Sequence, residues 1–269
     1  MVTIAQYIKK SATYKLFSTL LIEVVNFLDI IGGIIMLGYR FVVRMFKDGV
    51  NLKELFAQCE RFGISSLPIT LSIVGMTSII VSSQVANEMV KQGGADFVGM
   101  LMTILIVREV GAVMSGFAII SMIGSSMASE LATMRVTEQI DAITVLGVNP
   151  VRYLFVPRIL AGTLMMPPVL VISSVFGILG GALASVMTSE LSYRAYFASV
   201  RSGLFLYDMK VALLKAIVYG FTIVLISCTC GYIARGGAKG VGIATTKAVV
   251  WSFVAIVVWD LIFSAVFFF

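Results

Sequence analysis

The residues best placed to do chemistry in this chain are the few charges that fall inside apolar runs, because an ionisable group in hydrocarbon is costly and marks function by default. Arg108 and Glu109 stand together with uncharged residues on both sides. Neighbours on a helix point about 100° apart, so the two need not pair with each other. Two chemistries suit them: an interfacial ion pair that orients a span, or a polar ring that meets a lipid headgroup at the mouth of a cavity. Asp208 and Lys215 lie about two helical turns apart and can share one helix face; a lysine snorkelling to the interface is the plainer account of Lys215. The densest group is Glu130, Arg135, Glu138, Gln139 and Asp141, in a polar stretch that runs to Pro150 between long uncharged segments. Such a stretch cannot sit in hydrocarbon. It belongs at one membrane face, where it can meet a soluble partner.

Other chemistries are excluded or weak. The chain has no histidine, which removes histidine general-base and histidine–metal chemistry. Cys59, Cys228 and Cys230 sit in or near apolar runs without a C-x-x-C spacing, so buried thiols are expected rather than a zinc or redox site. No G-x-x-x-x-G-K-[ST] occurs, so any ATP and Mg must be held by another subunit. The chain is therefore not expected to be an enzyme, and no cofactor is expected in it.

The elements that must position these residues follow from composition. The chain is 59% hydrophobic and only 13% charged, against about 25% charged in soluble domains. The fold class expected is an all-α polytopic membrane protein: an N-terminal interfacial helix plus five transmembrane helices, with a polar cytoplasmic helix between spans two and three. Residues 1–61 read as a basic segment carrying Lys9, Lys10 and Lys15, followed by an interfacial helix over 23–46. Within it the uncharged run Ile30–Tyr39 is short of the about 20 residues a span needs; a sixth span is the rival reading. Residues 62–269 read as a five-span domain, with spans at about 62–87, 97–128, 159–189, 211–234 and 248–269.

Within the island, over about 130–147, a bend is expected near 136–137, with Thr137 capping a fresh helix, Glu138 in its first turn, and Gly147 and Asn149-Pro150 as the stop. The hydroxyl- and glycine-rich first span is expected to pack on protein along much of its length, and Gly177-x-x-x-Gly181 offers a flat surface to a neighbour. Pro167-Pro168 should kink the third span. Residues 190–210 read as a short interfacial helix, and 234–247 as a flexible loop. The net charge of +6 reports cytoplasmic loops and anionic headgroups rather than nucleic acid. Basic or mixed segments alternate around five spans so that the N-terminus, the island and the 235–247 segment are cytoplasmic; the loops at 88–96 and 190–210 and the C-terminus are external.

Glu-Leu-Ala-Thr-Met-Arg-Val-Thr-Glu-Gln-Ile-Asp-Ala from Glu130, then Leu-Gly-Val-Asn-Pro and Val-Pro-Arg, resembles the signature of the MlaE/YrbE permease family. Val-Arg-Glu-Val-Gly around Arg108 is similar to a second motif of that family, although Ala112 stands where a proline is common. The resemblance runs from about residue 55 to the C-terminus. It implies the permease subunit of an MCE-associated lipid ABC transporter of the bacterial inner membrane, acting as a homodimer with an ABC ATPase and an MCE-domain protein on phospholipid to maintain envelope lipid asymmetry. It also implies that Glu130, Arg135, Glu138 and Gln139 contact the ATPase through a coupling helix, that Arg108 and Glu109 belong to a polar ring at a lipid cavity, and that Asp208 and Lys215 lie near that cavity. The alternative is an ion-coupled secondary transporter without an ATPase, using Arg108, Glu109, Asp208, Lys215 and Asp260 as a relay. No inverted repeat supports it.

Overall fold

A computed structural model describes residues 31–43, 50–189 and 191–268. The lysines at 9, 10 and 15, and most of the flanks of the helix expected over 23–46, lie outside the described residues. The described residues form helices and no strand. They are α1 (Ile31–Val43), α2 (Leu52–Gly63), α3 (Leu67–Lys91), α4 (Ala95–Val136), α5 (Gln139–Val145), α6 (Val151–Thr188), α7 (Tyr193–Gly203), α8 (Leu206–Tyr232) and α9 (Gly237–Phe267). Five helical stretches are long and apolar enough to cross a membrane: α2 with α3, then α4, α6, α8 and α9.

Small residues set how closely these helices approach. Along α3 the buried positions Thr70, Val74, Ser78, Ser82 and Ala86 recur one turn apart. They meet the Gly177, Gly181 and Ser185 face of α6, where a Cβ on Gly177 would strike Val74 and Ser78. Ser82 Oγ donates to the Gly181 carbonyl at 2.8 Å and lies 2.7 Å from Ser185 Oγ. With lipid on the outside there is little hydrophobic force between spans, so close backbone packing and hydroxyl bonds hold them together. The α6 helix runs on through Pro167 and Pro168 without ending.

α6 and α8 touch backbone to backbone, since a Cβ on Gly220 would collide with the Gly162 carbonyl. Gly220→Val is therefore expected to destabilise the fold by about 1–3 kcal/mol through overpacking, read as a lower melting temperature in detergent.

The segment expected to be a loop over 234–247 is instead mostly the first turns of α9. Only Gly236 and Gly237 take positive φ, at 94° and 69°. Past that turn the chain is helical, because Val241 and Ala244 pack with Ala132 near the end of α4 and with Ala234 just past α8. At the opposite end of the bundle, α7 is capped by Ser192 Oγ, which accepts from Ala195 N at 3.2 Å. Its buried face (Tyr196, Ser199, Val200 and Gly203) lies on the start of α4, where Met100 N donates to Ser199 Oγ at 2.8 Å. Burial pushes the Tyr196 phenol up to about 12, so it is neutral and can serve as a donor.

Candidate functional site

Two polar assemblies interrupt this apolar bundle. The first gathers side chains from α4, α8 and α9. Arg108 and Glu109 sit on a π turn, Ile106–Val110, inside α4. Such widened turns are rare and often found at functional sites. Here the turn sends the two neighbours to different partners. Arg108 Nε donates to Asp208 Oδ2 at 2.8 Å, and its guanidinium lies 4.4 Å from the centre of the Phe268 ring. Glu109 turns to Lys215 Nζ at 3.2 Å and accepts from Ser264 Oγ at 2.8 Å.

Lys215 is the hub. It is fully buried, at 0% exposure, and it donates to the Arg108 carbonyl at 2.9 Å and to Asp260 Oδ1 at 2.8 Å. Tyr219 donates to the same Asp260 oxygen at 2.8 Å. Burial this complete, among named acceptors, excludes a lysine snorkelling toward water. Asp208, Lys215 and Tyr219 share one face of α8, as helical spacing requires, but Asp208 and Lys215 hold different partners rather than each other.

Two cations thus face three carboxylates in one largely buried network. A buried pair repays its desolvation only when its remaining hydrogen-bonding capacity is filled; Ser264, Tyr219 and the Arg108 carbonyl do that here. Chemically, the network fixes the relative rotation of three helices and leaves the Arg108 side chain 32% exposed, open to an anionic group.

Asp260, Tyr219, Ser264 and Phe268 are the members that the main sequence reading did not place in the site. Asp260 carried a signal, as the lone acid in the last apolar run. The others look like ordinary span residues. Asp260→Asn keeps the shape but removes the charge opposite Lys215, and is expected to cost about 1–3 kcal/mol, measured as a downward shift of thermal unfolding; Ser264→Ala should cost less, about 1 kcal/mol.

The second assembly is the polar island. The island over about 130–147 is the end of α4 followed by α5. The turn lies where the bend was expected, but Thr137 plays the opposite part. Its hydroxyl donates back to the Thr133 carbonyl at 2.8 Å, closing α4 rather than capping α5. Glu138 takes the junction, in a left-handed conformation with φ of 60°. Asn149 Oδ1 then accepts from Val151 N at 3.0 Å and opens α6.

The five candidate residues of the island divide by environment. Glu130, with its side chain 37% exposed, is bonded within the chain: Arg61 Nη1 reaches its Oε2 at 2.7 Å and Arg158 Nη2 its Oε1 at 2.7 Å. Arg135 pairs with Asp141 at 2.6 Å and lies 5.5 Å over the Tyr232 ring, which pins α5 against the bundle. Glu138 and Gln139 are exposed. Beyond them Val145 and Leu146 project at 88% and 80% exposure, an apolar tip on a polar helix, while Ile140 anchors the base at 1%.

Residues 55–266 match the family described as Permease MlaE, a stretch that contains both assemblies apart from Phe268. The chain belongs to the MlaE permease family. It is 31% identical over 244 residues to a probable ABC transporter permease protein of Rickettsia prowazekii, covering 91% of this chain and 94% of that one. A probable ABC transporter permease protein of Synechocystis is 35% identical over 207 residues, covering 77% and 79%. The protein Trigalactosyldiacylglycerol 1, chloroplastic, of Arabidopsis thaliana is 33% identical over 229 residues, covering 85% of this chain and 65% of that protein. The chain is thus a multi-pass membrane permease, and the α4–α5 island and the α4–α8–α9 network are both parts of the permease body.

Proposed function

We propose that this permease is the membrane subunit of an ATP-driven phospholipid transporter, acting as a homodimer with a separate ABC ATPase and an MCE-domain protein to maintain envelope lipid asymmetry. The observation that carries the reading is α5: a polar helix between two spans, pinned by Arg135–Asp141, with exposed Glu138 and Gln139 and a projecting Val145–Leu146 tip. A pinned helix with an apolar tip suits a groove on a soluble partner. The relatives named as ABC transporter permeases support an ATPase as that partner, and one relative's name carries a diacylglycerol lipid.

In this reading ATP and Mg are bound by the partner. Closure of the ATPase pair displaces α5 and through it the spans, and the cavity between protomers passes a phospholipid to or from the MCE assembly. Arg108, with Glu109, Asp208 and Lys215 behind it, meets the headgroup at the cavity rim. In the same reading the N-terminus and α5 face the cytoplasmic side of the bacterial inner membrane and the C-terminus lies outside, which the distribution of basic segments supports.

The test is affinity purification in mild detergent with mass spectrometry of proteins and lipids. Co-purification of an ATPase, an MCE-domain protein and phospholipid is expected. A chain that moves lipid without any ATPase, driven by a proton or sodium gradient, would overturn the proposal in favour of a secondary transporter.

A further inference from the structure

Glu130 lies in the signature stretch, yet both of its carboxylate oxygens are occupied within the chain. Arg61 comes from α2 and spans one turn of α4, with Nη1 on Glu130 Oε2 at 2.7 Å and Nη2 on Ser126 Oγ at 2.8 Å. Arg158 comes from the start of α6 and is only 4% exposed. Its Nη2 holds Glu130 Oε1 at 2.7 Å, and its Nη1 is buried with no hydrogen-bond partner among the described residues. Glu130 is therefore the only carboxylate bonded to that buried guanidinium among the described residues. Each oxygen keeps a spare lone pair, but swinging the carboxylate away onto a partner would mean releasing one of the two arginines.

The three residues also sit where motion must pass. Glu130 lies near the end of α4, just ahead of the turn into α5. Arg61 lies in the last turn of α2, which leads directly into α3. Arg158 lies about two turns into the long α6, and the α2 residues Phe62 and Gly63 lie against its Gly162 and Met165.

We infer that Glu130 is a positioning residue and not a docking contact: with Arg61 and Arg158 it ties α2 and α6 to the end of α4, so that a displacement of α5 is delivered to the first and third spans together. The transport half of this inference rests on the ATP-driven reading above; the tie itself does not.

Two substitutions separate the roles. Arg61→Gln removes the link to α2 and leaves the buried Arg158 paired with Glu130. Glu130→Gln keeps one acceptor oxygen, which the buried Arg158 requires, and turns its amide NH2 toward Arg61, so it cuts the same link from the other side. The experiment uses the full chain co-expressed with its ATPase and MCE partner, reconstituted in proteoliposomes with a fluorescent phospholipid. Both variants, and the double variant, are expected to retain ATPase capture and ATP hydrolysis while transport per ATP falls about tenfold. The double variant should be no worse than the poorer single one, because residues acting through one contact are not additive. Loss of ATPase capture in Glu130→Gln, with Arg61→Gln unaffected, would overturn the inference and make Glu130 a docking contact. Additive losses, or normal transport in Arg61→Gln, would overturn it too.

If the wild-type chain captures no ATPase, the ATP-driven reading fails, and the tie is then read by thermal unfolding of the same variants in detergent. Non-additive shifts uphold it and additive shifts remove it.

Discussion

Lys215→Met is expected to be the most damaging single substitution in the bundle, lowering the melting temperature in detergent by about 10 °C and abolishing transport. The methionine fills the space but carries no donor. Glu109 and Asp260 then lose their shared ammonium, and the Arg108 carbonyl loses its lysine donor, in a site where Lys215 itself has 0% exposure. Removing one partner of a buried ion pair costs about 3–5 kcal/mol, because the remaining charge stays desolvated. For a chain of this size each kcal/mol shifts unfolding by about 2–4 °C. The double variant Lys215→Met with Asp260→Asn should recover part of the loss, since one stranded carboxylate is removed with the cation. A Lys215→Met protein that melts with the wild type would show that the network contributes nothing to holding α4, α8 and α9 together.

Leu146→Asp is expected to leave folding untouched and to weaken ATPase capture at least about 30-fold. At 80% exposure the side chain makes little contact with its own chain, so the effect on stability should fall within about 0.5 kcal/mol. An apolar residue that anchors an interface contributes about 2 kcal/mol or more, which sets the affinity change. Glu138→Lys, on the exposed turn ahead of α5, should act in the same direction. The measurement is pull-down of the ATPase from co-expressing cells at matched expression, with thermal unfolding as the control. Normal capture by both variants would move the partner surface away from α5.

These expectations draw on different layers of the molecule. The island was legible because its charges are dense along the chain and flanked by uncharged runs. Its division into residues bonded within the chain and residues left exposed was not. Glu130, Arg135, Glu138 and Asp141 look alike in sequence, and only their partners distinguish them: Arg61 and Arg158 for Glu130, Asp141 for Arg135, and an exposed left-handed turn at Glu138. The role of Thr137 was inverted for a related reason. A threonine at a helix boundary can close the helix behind it as readily as open the next, and here its hydroxyl reached back to Thr133.

The Lys215 network shows the limit most clearly. Arg108, Glu109, Asp208 and Lys215 stood out as charges in apolar runs, but nothing local paired Arg108 with Asp208 or brought Asp260, Tyr219 and Ser264 to the same place. In a soluble helix a periodic apolar stripe reveals the buried face. A membrane span is apolar all round, so that signal is missing, and which face meets protein is decided by small residues and hydroxyls on distant helices.

The sequence by itself determined the spans, the polar segment between the second and third, and the candidate charges, because the bilayer forbids exposed backbone and unpaired charge and so writes its constraints into local composition. Only the tertiary structure decided which charges meet, which are buried and which remain on offer to a partner, because those contacts join residues far apart in the chain whose surroundings look equally apolar along it.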